Sequence, residues 1–572
     1  MKIMNNMQKM KIRLHQLSPV VGDLDNNKEL ILEALRFAES DGVELLVLPE
    51  MCLTAYPAMD LLESERFRER CYELNRQIAE ATGETALIFG TILPAGEKDS
   101  RRMHNSAILA RHGEIVRVFH KTLLPTYDIF DESRYFEPNK VFETAELNGL
   151  QIGVTICEDL WQHHNEDPDH SYSVDPALEL TRSGAGLMIN ISASPFTNNK
   201  HESRRRMLRY HSEKLNVPVL YCNQTGGHTD VVFDGDSAAL NSRGELIAAA
   251  RPFTPGHLDV IAEISSEGVE LTGSPGEISA YPERGPARQF EAIVTGLKDY
   301  LNRSGVTRKV LLGLSGGIDS ALVAVLAAEA AGPENVTAIT MPTRFSSEGS
   351  VTHSRLLAEN LGITLLEIPI QQIFESALEK LGPQFGGASF GVAEENLQSR
   401  IRGMLLMSYA NKFGGFVIPG GNKSEYATGY ATLYGDMNGA LAIIGDLYKT
   451  EVYKMAEWLN RNYYKKEMIP DIILRKAPSA ELRPDQKDSD SLPEYEVLDN
   501  ILYHYIEQGK DAAAIAEKGY SRSLVDEVIR LTDRSEFKRA QAAPILKLSR
   551  KSFGSGRRFP IVQQWTRNQQ KL

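Results

Sequence analysis

The sequence predicts an α/β protein built as two layered domains, and three observations predict it. Over residues 11–265 short apolar runs alternate with amphipathic ones, the pattern of strands and helices stacked in layers. Over 265–288 that alternation fades into Gly, Pro, Ser and Glu, including Gly273-Ser274-Pro275-Gly276, which reads as a linker. Beyond it a second alternating unit opens with an apolar run, a glycine turn and an alanine-rich run. A chain of 572 residues is also too long for a single hydrophobic core. The expected boundaries are a first domain at 11–265, a linker at 266–288 and a second domain at 289–572.

In the first domain Asp25-Asn26-Asn27 precedes a helix expected over 28–39, with Leu30, Leu32, Leu35 and Phe37 as apolar positions and Asp41-Gly42 ending it. Glu44-Leu45-Leu46-Val47-Leu48 reads as a buried strand, and further strands are expected at 86–89, 152–156, 187–191 and 217–221. In the second domain a helix over 290–302 leads to the strand Lys309-Val310-Leu311-Leu312-Gly313-Leu314. A helix over 321–331 follows, closed by Gly332-Pro333, and later a helix over 394–409 and a strand over 416–419. No period of 20 to 50 residues stands out, which excludes a solenoid.

Composition narrows the function classes. A formal charge of −13 argues against general nucleic-acid binding, because phosphate backbones need a basic face. Four scattered cysteines, Cys52, Cys71, Cys157 and Cys222, make neither a disulfide framework nor a zinc pair and point to a reducing, cytoplasmic compartment. Residues 1–9 are polar and carry no signal-peptide core, and no apolar run is long enough to span a bilayer. The expectation is a soluble protein with no membrane and no nucleic-acid partner.

The most informative stretch is Ser315-Gly316-Gly317-Ile318-Asp319-Ser320, between an expected strand and an expected helix. A glycine turn there aims successive backbone N–H groups and the positive helix end at one point, where a phosphate can bind. Ser315 and Ser320 add hydroxyl donors. Asp319 would repel that ligand unless a cation lay between them, so it reads as a magnesium ligand. No Gly-Lys-Ser/Thr follows the glycines, so the loop is not a Walker A motif. The string resembles the pyrophosphate loop of the ATP-pyrophosphatase family. That resemblance implies ATP binding by Gly313, Leu314, Ser315, Gly316, Gly317, Ile318, Asp319 and Ser320, and cleavage of ATP to AMP and pyrophosphate to adenylate an oxygen.

In the first domain Glu50 follows Val47-Leu48-Pro49, Lys121 stands in Phe119-His120-Lys121-Thr122 and Cys157 ends Gly153-Val154-Thr155-Ile156. A thiol of ordinary pKa needs a base and a cationic neighbour to act as a nucleophile. Glu50 suits the base, and Lys121 suits an oxyanion partner. With their contexts, Leu48-Pro49-Glu50, His120-Lys121 and Ile156-Cys157-Glu158-Asp159, they resemble the nitrilase (carbon–nitrogen hydrolase) family. The resemblance implies an α-β-β-α sandwich, catalysis by Glu50, Lys121 and Cys157, and a positioning role for Glu132. Glu158 is suited to an amino acid's ammonium and Lys200 to its carboxylate, with Arg204 as a substitute. Matches to glutamine-hydrolysing members add Tyr56, Tyr127 and Ser194 to the binding set. The His163–His170 segment reads as a solvated rim loop rather than a metal site.

Past the pyrophosphate loop, Asn396 and Arg400 lie one turn apart on an expected helix. Gly420-Gly421-Asn422-Lys423-Ser424-Glu425, Gly435-Asp436, Tyr448-Lys449-Thr450 and Pro478-Ser479-Ala480-Glu481 follow in order. Alone these are loops with capping residues. Their order resembles the synthetase domain of the NAD synthetase family, a doubly wound parallel-sheet fold. The resemblance implies deamido-NAD contacts by Asn396, Arg400, Glu425, Asp436 and Lys538, and ATP contacts by Gly420, Lys449 and Ser479. It also implies a magnesium ion shared by Asp319 and Glu425. An amidase joined to such a ligase implies ammonia made from glutamine and passed through a channel to an acyl-adenylate. It further implies a homo-oligomer with dimeric synthetase domains, extending to octamers. Other glutamine-fed ligases carry a Cys-His-Glu or N-terminal-cysteine amidase, and neither pattern is present.

Overall fold

The computed structural model describes residues 8–96, 102–162, 172–266, 268–273, 285–484 and 486–565. It divides into two compact units, Met1–Glu283 and Arg284–Leu572.

The first unit holds two sheets face to face. One has seven strands in the order Gly268–Gly273, Gly256–Ser265, Gln8–Gln16, Leu45–Val47, Ala86–Pro94, Met103–Arg111 and Glu114–His120. The other has six, in the order Leu246–Ala249, Ala238–Leu240, Val219–Asn223, Leu187–Ser192, Leu150–Ile156 and Ala145–Leu147. Strand side chains alternate between faces, so Met10, Ile12 and Leu14 meet Ile152, Val154, Ile156, Ile189 and Ile191 in one inter-sheet layer. On the outside of the first sheet the helices Leu24–Ser40 and Glu65–Glu80 bury Ile31, Leu35, Leu74 and Ile78 against Leu46, Leu87 and Ile108. Pro176–Arg182 and Lys200–Leu215 cover the second sheet with Leu180, Met207 and Leu208 packed on Met188 and Tyr221. This is the expected α-β-β-α sandwich.

Two local readings change. The first helix starts at Leu24, absorbing Asp25-Asn26-Asn27. Asn27 does not cap it: its amide donates to the Val20 and Leu53 carbonyls and accepts from the Val20 N–H, tying the helix to its neighbours. The expected linker is also shorter than 266–288. Gly268–Gly273 is an edge strand antiparallel to Gly256–Ser265, with Leu271 buried, and Pro286 already opens a helix. Such an edge strand shows only Val269 and Leu271 as apolar signal in otherwise polar surroundings. Residues 274–284, and the His163–His170 segment, lie outside the described residues.

The second unit is built on a parallel sheet in the order Thr364–Glu367, Val336–Thr340, Val310–Gly313, Phe416–Val417. Chain order therefore reverses at Val310–Gly313, which makes the sheet doubly wound. Crevices outside the carboxyl ends at such a switch point take ligands. The helix Ile318–Ala331, three residues longer at its start than expected, is buried around nearly its whole surface. Pro286–Arg303 and Lys449–Trp458 enclose it, which is why its sequence is apolar throughout rather than amphipathic.

Candidate active sites

The first site forms where strand ends of both sheets meet. Gly90 lets the chain pass after Leu45–Val47: a Cβ there would lie 2.3 Å from the Met51 nitrogen and 2.4 Å from the Pro49 oxygen. The buried Glu50 carboxylate then accepts from Asn105 Nδ2 at 2.7 Å, Lys121 Nζ at 2.9 Å and the Ala193 N–H at 2.7 Å. Lys121 Nζ also donates to Glu132 Oε1 at 2.7 Å, and the Tyr56 hydroxyl donates to the same oxygen at 3.1 Å. Burial pulls the Lys121 ammonium down, but Glu132 and Glu50 more than offset this and hold it well above the ordinary lysine range. Burial raises Glu132, against the pull of Lys121. Its second oxygen, Oε2, is buried with no hydrogen-bond partner.

Cys157 follows Leu150–Ile156 and opens the short turn Cys157–Leu160 with φ at +45°. A left-handed backbone at a non-glycine residue costs about 1–3 kcal/mol and persists when its surroundings impose it. Asp159 imposes it here, accepting from the N–H groups of Ile156, Thr122 and Leu123 at 3.0, 3.0 and 2.8 Å. One carboxylate thereby fixes the Cys157 turn to the segment just after Lys121. Burial and Glu50 push the Cys157 thiol well above its ordinary range, and Lys121 opposes them without prevailing.

Around it, the Tyr127 hydroxyl donates to both oxygens of Glu158, at 3.0 and 2.9 Å, and the Tyr172 hydroxyl to one at 3.0 Å. Lys200 Nζ lies 3.8 Å from the centre of the Trp161 ring. Ser194 is fixed by Asn223, which accepts from its N–H at 2.8 Å. Arg204 is fully buried and pairs with Asp234 at 3.1 Å, and its Nη2 also donates to the Ser194 hydroxyl oxygen at 3.5 Å.

Lys121 neutralises two buried carboxylates, and removing one partner of a buried ion pair costs about 3–5 kcal/mol. Lys121→Ala should destabilise the protein by that amount in urea unfolding. A loss below about 1 kcal/mol, as at surface pairs, would contradict the buried cluster.

The second site lies at the switch point of the parallel sheet. Gly316 has φ at +75°, and a Cβ there would lie 2.4 Å from the Ser350 oxygen. The Ser315 and Ser320 hydroxyls are 3.0 Å apart, and Ser320 Oγ donates to the Gly317 oxygen at 3.0 Å, so both brace the turn. Asp319 accepts from Asn422 Nδ2 at 2.9 Å and Lys449 Nζ at 2.5 Å. Glu425 accepts from Lys449 Nζ at 3.3 Å and from the Asn422 N–H at 3.2 Å, while Asn422 Oδ1 accepts from the Glu425 N–H at 3.0 Å. One asparagine thus holds both acids beside one ammonium. Burial first, and Asp319 after it, raise the Glu425 carboxyl against the pull of Lys449.

A cavity of about 310 Å³ opens here, lined by Gly313–Ser315, Gly317–Ser320, Gly420, Lys449 and Ser479 together with Glu425 and Asp436. Asn396, Arg400 and Lys538 do not line it. They hold the segment beside it: Asn396 accepts from Thr432 Oγ1 at 2.9 Å, Arg400 donates to the Leu433 oxygen at 3.2 Å, and Lys538 donates to the Gly429 and Ala431 oxygens at 2.7 and 2.8 Å. Gly316→Ala should remove ATP binding through strain and collision with Ser350. An unchanged KM for ATP would contradict the loop's geometry.

Residues 289–542 match the NAD synthase family and residues 11–273 the carbon–nitrogen hydrolase family. Over 96% of its length the chain is 44% identical to the glutamine-dependent NAD(+) synthetase of Synechocystis sp., covering 98% of that protein. The glutamine-dependent NAD(+) synthetase of Thermotoga maritima is 39% identical over 98% of the chain and 99% of its own length. The chain belongs to the glutamine-dependent NAD(+) synthetase family. A solved glutamine-dependent NAD+ synthetase from Acinetobacter baumannii, in complex with adenosine diphosphate, superposes with a TM-score of 0.75 at 34% identity, covering 98% of this chain and 99% of that one.

Measured against a glutamine-dependent NAD(+) synthetase, several supporting residues escape sequence reading. Asn105 and the Ala193 N–H reach Glu50 across 55 and 143 positions, with no local motif. Tyr172 reaches Glu158 from beyond the segment 163–171. Asp159 and Asn422 stand inside the strings that carry the family resemblance, and only their hydrogen bonds reveal what they hold.

Proposed function

We propose that the first unit hydrolyses glutamine and the second spends ATP to convert deamido-NAD to NAD with the ammonia released. The observation that carries this reading is that one chain supplies two separate sets: Glu50, Lys121 and Glu132 in a buried ion-pair cluster near Cys157, and Asp319, Lys449 and Glu425 beside a pyrophosphate loop.

Glu158 takes the ammonium of glutamine and Lys200 its carboxylate, with Tyr56, Tyr127 and Ser194 shaping the pocket. Glu50 removes the thiol proton as Cys157 attacks the side-chain amide. Lys121 and nearby backbone N–H groups stabilise the oxyanion, ammonia leaves with a proton returned by Glu50, and water cleaves the thioester to glutamate. Glu132 positions Lys121.

In the second unit the turn at 315–320 cradles the phosphates, with Gly420 and Ser479 completing the ATP pocket. Asn396, Arg400, Glu425, Asp436 and Lys538 hold deamido-NAD, and Lys449 places a positive charge beside the phosphates. The nicotinate carboxylate attacks the α-phosphorus, pyrophosphate departs, and ammonia displaces AMP from the mixed anhydride to give the amide. Among the described residues no three or more His, Cys, Asp or Glu side chains enclose a metal ion. Asp319 and Glu425 share the single ammonium of Lys449, and these two oxygen-donor carboxylates would suit a magnesium ion. Bound there, it would neutralise the triphosphate and the departing pyrophosphate.

We propose further that ammonia crosses through an internal channel and that the protein is a cytoplasmic homo-oligomer with dimeric synthetase units assembling up to an octamer. Four free thiols suit a reducing compartment, and no described helix is long and apolar enough to cross a membrane. Light scattering tests the assembly.

Adenylation moves one carboxylate oxygen to AMP. Deamido-NAD labelled with ¹⁸O in its carboxylate should therefore yield labelled AMP. Label in inorganic phosphate, with ADP as the nucleotide product, would mean an acyl phosphate instead.

A further inference from the structure

We propose that Lys476 is a binding residue for the departing pyrophosphate, and that Glu481 holds its ammonium in place until the phosphates arrive. The inference rests on the pyrophosphate-loop reading above and adds a residue to that site.

Lys476 and Glu481 both line the cavity of the pyrophosphate loop. Lys476 Nζ donates to Glu481 Oε1 at 2.7 Å and to Ser350 Oγ at 2.7 Å. Ser350 presses against Gly316 so closely that a Cβ on Gly316 would lie 2.4 Å from its carbonyl oxygen and 2.7 Å from its Cα. The Lys476 ammonium therefore stands one serine side chain away from the backbone that is to cradle the phosphates.

That loop contains no lysine of its own. Lys449 is already paired with Asp319 and Glu425, and Arg402 donates its Nε to the Met341 oxygen on another wall of the cavity. A leaving pyrophosphate carries more negative charge than the esterified phosphates it comes from, so a cation free to follow it favours departure. A lysine suits this task, being a point charge on a flexible stem.

Glu481 is built as the exchange partner. Its backbone is left-handed, with φ at +48°. Its carboxylate accepts from the Ser347 N–H at 3.3 Å, Ser347 Oγ at 3.0 Å and Ser350 Oγ at 2.9 Å as well as from Lys476. With Ser347 and Ser350 as remaining donors, Glu481 keeps partners when the lysine turns to a phosphate. Side-chain exposures of 24% for Lys476 and 19% for Glu481 leave both accessible from the cavity they line.

Calorimetric titration of the full-length protein with inorganic pyrophosphate and magnesium tests this. A charge-assisted contact is worth a factor of about ten or more in affinity, so Lys476→Met should weaken binding by at least that factor and Lys476→Arg should retain most of it. Glu481→Gln should act in the opposite direction and tighten binding severalfold, because it releases the ammonium. Loss of affinity in both Lys476→Met and Glu481→Gln would mean the pair only braces the loop, and no change in Lys476→Met would also overturn the assignment. Wild-type protein that binds no pyrophosphate at all would instead remove the pyrophosphate-loop reading on which the assignment stands.

Discussion

Cys157→Ala is expected to abolish NAD formation from glutamine, by roughly a thousandfold or more, while ammonium-supported formation stays within about twofold of wild type. In the proposed reaction the sulfur after Leu150–Ile156 is the nucleophile and serves only to release ammonia from glutamine. Glu50→Gln should follow the same pattern, because Glu50 is the proposed base for the Cys157 thiol, which burial and Glu50 push well above its ordinary range. Residues acting as one unit give non-additive losses, so Cys157→Ala with Glu50→Gln should be scarcely worse than Cys157→Ala alone. Equal loss with both nitrogen sources would overturn the division of labour between the two units.

Asp319→Asn should produce the complementary result. NAD formation should fall about a hundredfold or more with either nitrogen source, since the proposed magnesium ion would lose the carboxylate that Asn422 and Lys449 hold in place. Glutamate release at Cys157 in the absence of ATP should survive. The loss should be partly recovered by raising magnesium if the aspartate acts through the ion. Full activity of Asp319→Asn at ordinary magnesium would show that the carboxylate has no part in the phosphate chemistry.

The sequence made some of this arrangement readable and left the rest to three-dimensional contacts. Glu50, Cys157 and the turn at 315–320 sit at strand ends inside short distinctive strings, where local pattern and chemistry coincide. The α/β layering followed from the alternation of apolar runs. What holds those residues in place comes from far along the chain. Asn105 and Ala193 meet Glu50 only because strands from both sheets converge, and Lys449 meets Asp319 across 130 positions. No periodicity encodes such meetings. The edge strand Gly268–Gly273 was hidden for another reason: it buries one side chain, Leu271, and shows polar residues to solvent, so it looks like the linker that follows.

The central claim is that nitrogen freed at Cys157 is the nitrogen that enters the acyl-adenylate. The most direct test supplies glutamine labelled with ¹⁵N in its side-chain amide, together with ATP, magnesium and deamido-NAD, in a buffer containing unlabelled ammonium. The expected product is NAD whose carboxamide carries ¹⁵N, with AMP and glutamate formed in equal amounts. Unlabelled NAD, or glutamate accumulating without NAD, would contradict it.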